Sequence, residues 1–537
     1  MLSTPFASWQ ARLSAFAQAP ANASLNGILR GLEKESLRIT AKGKLAQTAH
    51  PSSLGSALKH PHITTDYSEA LLEFITDPLA SIDELLQQLD DIHRFTYQQL
   101  NSHHERLWPA SMPCNLPVDD EIPVARYGSA NSGMMKTIYR IGLGHRYGRS
   151  MQTIAGIHYN FSMPDDFWRE LQKQDGDTQS LQDFKTERYF ALIRNFRRYF
   201  WLLIYLFGAA PAVSDSFVEG RLHRLDAVNN DPRTQGLPFA TSLRMGDLGY
   251  QSDAQQSLFV CYNNLNTYLK TLCGAITQSH PDYESIGTQD SQGNYQQLST
   301  SLLQIENEFY SSIRPKRTTQ SGETALQALR LRGVEYIEVR CVDLNPYEPL
   351  GITAEQIHVL DAFLLYCLLS DSPLTPDAEY AEGQENQKRI VYSGRDPSLQ
   401  LRRQQQDISP QAWATEILDA SLECAVLLDQ ASGGDKYQQA VSAQYQKLQN
   451  PELTPSAKVL ADLKTHGKSF FEYTLELAEQ HRLHYTQQPL SAEKSSRFIQ
   501  EAKASIIAQQ QLEKSPQIPF DEYLEAYYAQ YRGCNCG

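Results

Sequence analysis

The chain has 537 residues, of which 41% are hydrophobic and 20% charged, with a formal net charge of −14. That balance describes a globular chain with a large core, and the acidic excess excludes a nucleic-acid partner, which needs a basic surface or stripe. The most apolar run, Tyr199 to Val213, contains Gly208 and Pro211; it falls short of the roughly 18 apolar residues of a membrane span and reads as a buried helix.

The first 20 residues lack a charged region followed by an apolar stretch, so no signal peptide is expected and they read as an ordinary helix. Cys114, Cys261, Cys273, Cys341, Cys367 and Cys424 are scattered singly. That is not a disulfide framework, and it predicts a reducing, cytoplasmic setting. The tail Cys534-Asn-Cys536-Gly reads as a disordered, reducible end.

Gly31 to Ile39 reads as a strand. Strand side chains alternate faces, so Glu33 and Glu35 project together with Leu37 and Ile39. In Thr65 to Thr76, Glu73 interrupts an apolar run and shares a face with Leu71 and Ile75. Ser81 to Trp108 has apolar residues at helical spacing from Ile82 to Phe95, with Ser81 and Glu84 as a capping box. On Gly156 to Ser162, His158 alternates with Ile157 and Tyr159, which predicts another strand. Asp183 to Phe207 predicts a second long helix. Leu303 to Tyr310 and Val334 to Arg340 both have a period of two: the first groups Glu306, Glu308 and Tyr310, the second Tyr336, Glu338 and Arg340.

The expected organisation is one domain over 1–370, a polar linker over 371–408, and a helical region over 409–537, rich in Ala, Leu, Gln and Glu. Strands and helices do not alternate regularly. The fold class is therefore α+β, a mostly antiparallel sheet with helices packed on one side.

Taken singly, each carboxylate reads as a half-exposed strand residue and His158 as a structural histidine. Together, four strand-like segments bring carboxylates to special positions. Converging carboxylates stay ionised only if a cation compensates them. Hard oxygen ligands suit Mg²⁺ or Mn²⁺, and several such ions on one face match the phosphates of a nucleoside triphosphate. The basic residues Arg314, Lys316, Arg317 and Arg340 accompany these acids, and Arg244 is a further candidate. Guanidinium groups suit phosphate oxygens in shape and charge. A phosphate-binding loop is missing, since Gly467-Lys-Ser469 has Asp462 where the motif needs glycine; no GxGxxG, HExxH or GxSxG occurs.

The segments GLEKESLR, ITTDYSEALLEFIT, WPASMPC, YRIGLGHRYG, MQTIAGIHYNFS, LFGAAPA, TSLRMGDLGY, ENEFYSSIRPKR and GVEYIEVRCVDLNP occur in this order between about residues 25 and 360. Together they resemble the proteobacterial glutamate–cysteine ligase family. The resemblance implies a curved, glutamine synthetase-like funnel, with 1–370 as the catalytic domain. The implied reaction is ATP-dependent ligation of the L-glutamate γ-carboxyl to the L-cysteine amine, with feedback by glutathione. It further implies metal ligation by Glu33, Glu35, Asp66, Glu73, His158 and Glu338. Phosphate contacts would come from Arg314, Lys316 and Arg340, and catalytic roles would fall to Arg340 and Arg244. Tyr67, Tyr139, Leu143, Gln152, Arg244, Tyr250 and Tyr310 would surround the amino acids. Tyr67 stands where close relatives are expected to carry Phe.

Overall fold

Leu29–Thr40, buried along most of its length on both faces, is the longest strand, β1, and the main sheet grows from it. A computed structural model of the chain describes residues 8–249, 255 and 258–532. The other strands are β2 Ile63–Thr65, β3 Leu71–Ile75, β4 Glu105–Leu107, β5 Ile157–Ser162, β6 Ala212–Ser214, β7 Asp226–Val228, β8 Asp231–Gly236, β9 Ile313–Lys316, β10 Tyr336–Val342, β11 Leu401–Arg403 and β12 Gln406–Ile408. Seven of them form an antiparallel sheet in the order β2-β3-β1-β5-β10-β9, with β4 added to β1. Strands β6, β8 and β7 form a small second sheet.

The helices are α1 Trp9–Phe16, α2 Ile82–Leu100, α3 Asn131–Tyr147, α4 Asp165–Asp175, α5 Leu181–Tyr199, α6 Trp201–Phe207, α7 Asp215–Val218, α8 Leu265–Thr277, α9 Pro281–Ile286, α10 Ala325–Arg332, α11 Ala354–Leu369, α12 Asp377–Ser393, α13 Pro410–Ser432, α14 Lys436–Gln449, α15 Pro455–His466, α16 Phe470–Gln487, α17 Ala492–Lys514 and α18 Phe520–Arg532. No helix among the described residues is long and apolar enough to cross a membrane.

One face of the main sheet packs on helices through Leu32, Phe74, Ile157, Phe161, Ile337 and Val339, all fully buried. Two polar ties also cross this layer. Arg30 on β1 donates to Asp361 on α11 at 2.7 Å, and Tyr159 on β5 and Tyr437 on α14 bond the same carboxylate. This buried network resists sliding of β1 against β5, because a one-residue slip would send Arg30 and Tyr159 to the opposite face.

The second tie is Lys34 Nζ, 2.6 Å from His93 Nε2 on α2. His93 Nδ1 lies 2.7 Å from the Leu89 carbonyl and donates to it, which leaves Nε2 to accept from the amine. Burial lowers the Lys34 pKa to about 7; burial and the lysine together hold His93 well below its ordinary value and His481 at about 3.

Several expectations need correction. The helix from Ser81 stops at Leu100, where His104 takes a left-handed turn at φ 53°, and Glu105–Leu107 pairs with β1. Ser81 caps the helix by accepting from the Glu84 amide at 3.2 Å. Leu303 to Tyr310 is not a strand: Glu306–Glu308 is a single 3₁₀ turn. The 371–408 segment, expected as a linker, is folded into α12 and the β11–β12 hairpin; Ile390 and Val391 are fully buried, and Asn386 exchanges hydrogen bonds with the Arg402 backbone. Cys273 on α8 is disulfide-bonded, whereas Cys114, Cys261, Cys341, Cys367 and Cys424 are free thiols. Tyr250, Cys534 and Cys536 lie outside the described residues.

Lys34 binds fewer protons folded than unfolded between about pH 7 and 10.5, so it adds stability as pH rises through that window. Stability from denaturant unfolding should climb from pH 7 to pH 10, and Lys34→Met should flatten that climb. An unchanged pH slope in the variant would show that the amine is charged in the folded protein.

Candidate functional site

The opposite face of the sheet carries the charged candidate residues, and the strand register determines who meets whom. Glu35 on β1 lies directly across from Glu73 on β3, and Glu33 lies directly across from His158 on β5. On the next ladder, Glu338 on β10 opposes Asn160 on β5 and Arg314 on β9, while Tyr336 opposes Lys316. Directly opposed side chains sit about 5 Å apart at Cβ. Alternation along each strand thus becomes convergence across five strands.

The closest group is Glu33, Glu73 and His158, whose ligand atoms all lie within 4.8 Å of one another. His158 Nδ1 is 3.2 Å from Glu33 and 3.6 Å from Glu338, and its Nε2 is 3.8 Å from Glu35. Glu35 also accepts from the Gly156 amide at 2.7 Å. Gly156 has a second function: a Cβ there would sit 2.0 Å from Arg244 Nη2, so only glycine lets the guanidinium pass.

Charge is unevenly divided over this face. On the β1–β3 side, burial and Asp66 raise Glu35 to about 8, and burial with Glu33, Asp66 and Glu35 drives Glu73 well above the carboxylate range. On the β9–β10 side, burial is outweighed by Lys316, Arg340, His158 and Arg314, which hold Glu338 well below that range. Lys316 Nζ is 3.5 Å and Arg340 Nη1 3.1 Å from Glu338. Burial opposes ionisation of Glu33 too, but its bond with His158 and the charge of Lys316 keep it low. Burial and Arg340 lower His158, so its imidazole is neutral and able to ligate a metal. One side of the face therefore calls for a cation and the other offers positive charge to an anion.

The remaining candidates form the walls. Arg244 is fully buried, donates to the Arg340 carbonyl at 2.9 Å, and lies 3.7 Å from Asp343. Arg314 gives Nη2 to the carbonyls of Asn307 and Phe309, so it also braces that turn. Gln152 donates to the Tyr310 hydroxyl at 2.8 Å, and Tyr310 meets the ring of Tyr147 edge-on. Tyr67 is buried beside Gly144, and its hydroxyl has no hydrogen-bond partner among the described residues. A buried polar atom without a partner is the condition a substrate's polar group can satisfy. Tyr139 and Leu143 share a face of α3, one turn apart. A cavity of about 960 Å³ lies between α5, α12 and the β11–β12 turn; of the described candidate residues only Tyr310 borders it.

Two carboxylates expected in the cluster are engaged elsewhere. Glu308 forms a fully buried ion pair with Arg146 at 2.9 Å and accepts from Tyr147 at 2.7 Å; Glu306 accepts from the Ala325 amide and from Tyr531. Conversely, three residues near the site escaped the sequence reading. Asn160 donates to Glu33 at 3.0 Å. Arg140 lies 4.0 Å from Asp66 and bonds its carbonyl, and Lys136, one turn earlier on α3, is lowered to about 8 by burial and by Arg140. Their i, i+4 spacing was the available signal, but it resembles any solvated helix face.

Comparison with known proteins gives the family and the fold. The family model for glutamate–cysteine ligase matches residues 13–390. The glutamate–cysteine ligase of Saccharophagus degradans is 52% identical over 95% of this chain and 96% of its own length, and that of Alcanivorax borkumensis 49% identical over 96% and 98%. The crystal structure of Francisella tularensis glutamate–cysteine ligase in complex with AMP superposes with a TM-score of 0.88 at 36% identity, covering 94% of this chain and 98% of that one. A bifunctional glutathione synthetase from Pasteurella multocida shares the fold, with a TM-score of 0.70 at 24% identity over 90% of this chain and 57% of that one. By sequence, fold and the residues gathered on its sheet, the chain belongs to the glutamate–cysteine ligase family.

Proposed function

We propose that this protein joins the γ-carboxyl of L-glutamate to the amine of L-cysteine at the expense of ATP, on the polar face of the main sheet, as the first step of glutathione synthesis. The observation that carries the reading is the register: Glu35 faces Glu73 and Glu33 faces His158, with Lys316 and Arg340 beside Glu338. This donor set fits Mg²⁺ or Mn²⁺, being rich in carboxylate oxygens and short of compensating charge at Glu35 and Glu73. Glu33, Glu35, Glu73, His158 and Glu338 would hold the ions, with Asp66 at the edge. Divalent ions held there would supply charge neutralisation for the phosphates.

The chain's own residues do the rest. Arg314, Lys316 and Arg340 bring positive charge to the triphosphate, where preorganised charge supplies much of the rate. Arg244 presents a fixed guanidinium to the glutamate, held by Asp343 and the Arg340 carbonyl. The γ-phosphoryl group passes to the glutamate γ-carboxylate, giving an acyl phosphate and ADP. The cysteine amine then attacks the acyl carbon, the carbon–oxygen bond to phosphate breaks, and the departing phosphate takes up the amine proton. Tyr67, Tyr139, Leu143, Gln152 and Tyr310, with Tyr250 from the resemblance alone, surround that acceptor. Glutathione repeats the γ-glutamylcysteinyl unit of the product and competes for the same pocket.

Release of ADP by the protein with ATP and Mg²⁺ should require both L-glutamate and L-cysteine, with γ-glutamylcysteine accumulating. Full activity with another amine in place of cysteine would keep the ligase chemistry and overturn the acceptor.

Glu73→Gln removes like charge from a repelling group, so two effects of opposite sign are expected. Glutamate-dependent ADP formation should fall at least about 100-fold, as when a transition-state charge stabiliser is lost. The raised carboxyl pKa makes ionised Glu73 a destabilising group above its unfolded value near 4.5, so the variant should melt higher than wild type at pH 8. Near-normal ADP formation would remove Glu73 from the metal site.

A further inference from the structure

The C-terminal helices do more than add bulk, because they hold both structural walls of the acceptor pocket. One wall is α3, which carries Tyr139 and Leu143. Its N-terminus is tied down from the C-terminal region: Glu513 accepts from the Ser129 amide at 3.0 Å, Gln517 from the Asn131 amide at 3.3 Å, and Asn131 donates to the Ile518 carbonyl at 2.9 Å. Leu524 on α18 joins Met135 and Ile138 of α3, together with Leu298 and Ile305, in a separate apolar cluster against which Tyr139 packs.

The other wall is the turn 303–310, which ends at Tyr310. The Tyr528 hydroxyl donates to the Gln304 carbonyl at 2.8 Å, and the Tyr531 hydroxyl donates to the buried carboxylate of Glu306. Gln304 then joins the walls. Its side chain donates to the Tyr139 carbonyl at 3.2 Å and lies over Gly142, where a Cβ would come within 2.2 Å of Oε1. Glu308, two residues on from Glu306, is locked to Arg146 and Tyr147 at the far end of α3. The turn is therefore clamped between α3 and α18, and it has no strand ladder of its own to set its position.

We infer that α18 is a positioning element for acceptor binding, and that the hydroxyls of Tyr528 and Tyr531 set the spacing between Tyr139 on α3 and Tyr310. Neither tyrosine is assigned to the metal or phosphate residues. The consequence is selective: loss of these hydroxyls loosens the pocket for the amine substrate and leaves the sheet face intact. This inference rests on the reading that Tyr139 and Tyr310 border the acceptor.

The test is steady-state kinetics of the full chain carrying Tyr528→Phe, Tyr531→Phe, and both. Each change removes one oxygen and keeps the ring, so packing is preserved. The KM for L-cysteine should rise about tenfold in the double variant, the equivalent of about 1.4 kcal/mol, while the KM for L-glutamate, the KM for ATP and kcat stay within about twofold. Unchanged KM values overturn the inference. So does a parallel loss of kcat and all three KM values with a lowered melting temperature, which marks a merely structural helix. If the double variant fails to fold, either single variant carries the same reading. The pocket assignment is checked separately by Tyr310→Leu: an unaltered KM for L-cysteine there overturns the pocket, whatever the helix variants show.

Discussion

Two carboxylates face each other across a β-ladder, Glu35 on β1 and Glu73 on β3, with a third and a histidine one position away. In an ordinary sheet, opposed like charges weaken the pairing. Here the rest of the sheet enforces it. The pairing persists because β1 is fixed from behind, where Arg30 and Tyr159 share Asp361 and Arg38 bonds Glu105 on β4 at 2.6 Å. The electrostatic strain on the front is thus sustained by buried pairs on the back, and a tightly bound cation can relieve it.

Sheet order then converts strand chemistry into a gradient. From β3 through β1 and β5 to β10 and β9, the front face runs from uncompensated carboxylates, through a neutral imidazole, to a carboxylate held by Lys316 and Arg340. At about 4.8 Å per strand the sequence spans about 19 Å. That gradient is what the proposed binding of a metal-bound triphosphate would use, with cations toward the carboxylates and phosphates toward Lys316 and Arg340. A purely structural ion needs no cationic flank, so the Lys316–Glu338–Arg340 grouping favours nucleotide chemistry over a bare metal site.

How much of this was legible in the sequence depended on whether local periodicity or distant pairing governed each segment. Glu33, Glu35, Glu73, His158 and Glu338 stand on true strands, and period-two alternation predicted their common face. The same alternation misled at 303–310, because a 3₁₀ turn flanked by extended residues imitates it over so few positions. What decides that segment is non-local: Arg146, Tyr528 and Tyr531 claim its polar groups, and none of them is near in sequence. The 371–408 segment misled for a different reason. Its polar surface lines a cavity and its apolar residues are few, so composition alone resembled a linker. The roles of Asn160, Arg140 and Lys136 were hidden because each acts on another strand or loop.

The contacts of the C-terminal region with α3 and the 303–310 turn give a sheet-based site a support outside the sheet. The proposed metal and phosphate residues sit on strands whose positions are over-determined by ladder bonds, and such positions tolerate little adjustment. The proposed acceptor pocket, by contrast, lies between a helix and a turn that no ladder fixes, so in that proposal its width is set by side-chain packing and a few hydroxyls. Buried tyrosine hydroxyls are suited to setting that width, since each fixes one distance through one directed bond, and an unpaired partner would leave a buried oxygen unsatisfied. On the proposed assignments, reaction chemistry and acceptor choice are supported by different parts of the chain, which would allow the amine pocket to change while the strand-borne residues stay in register.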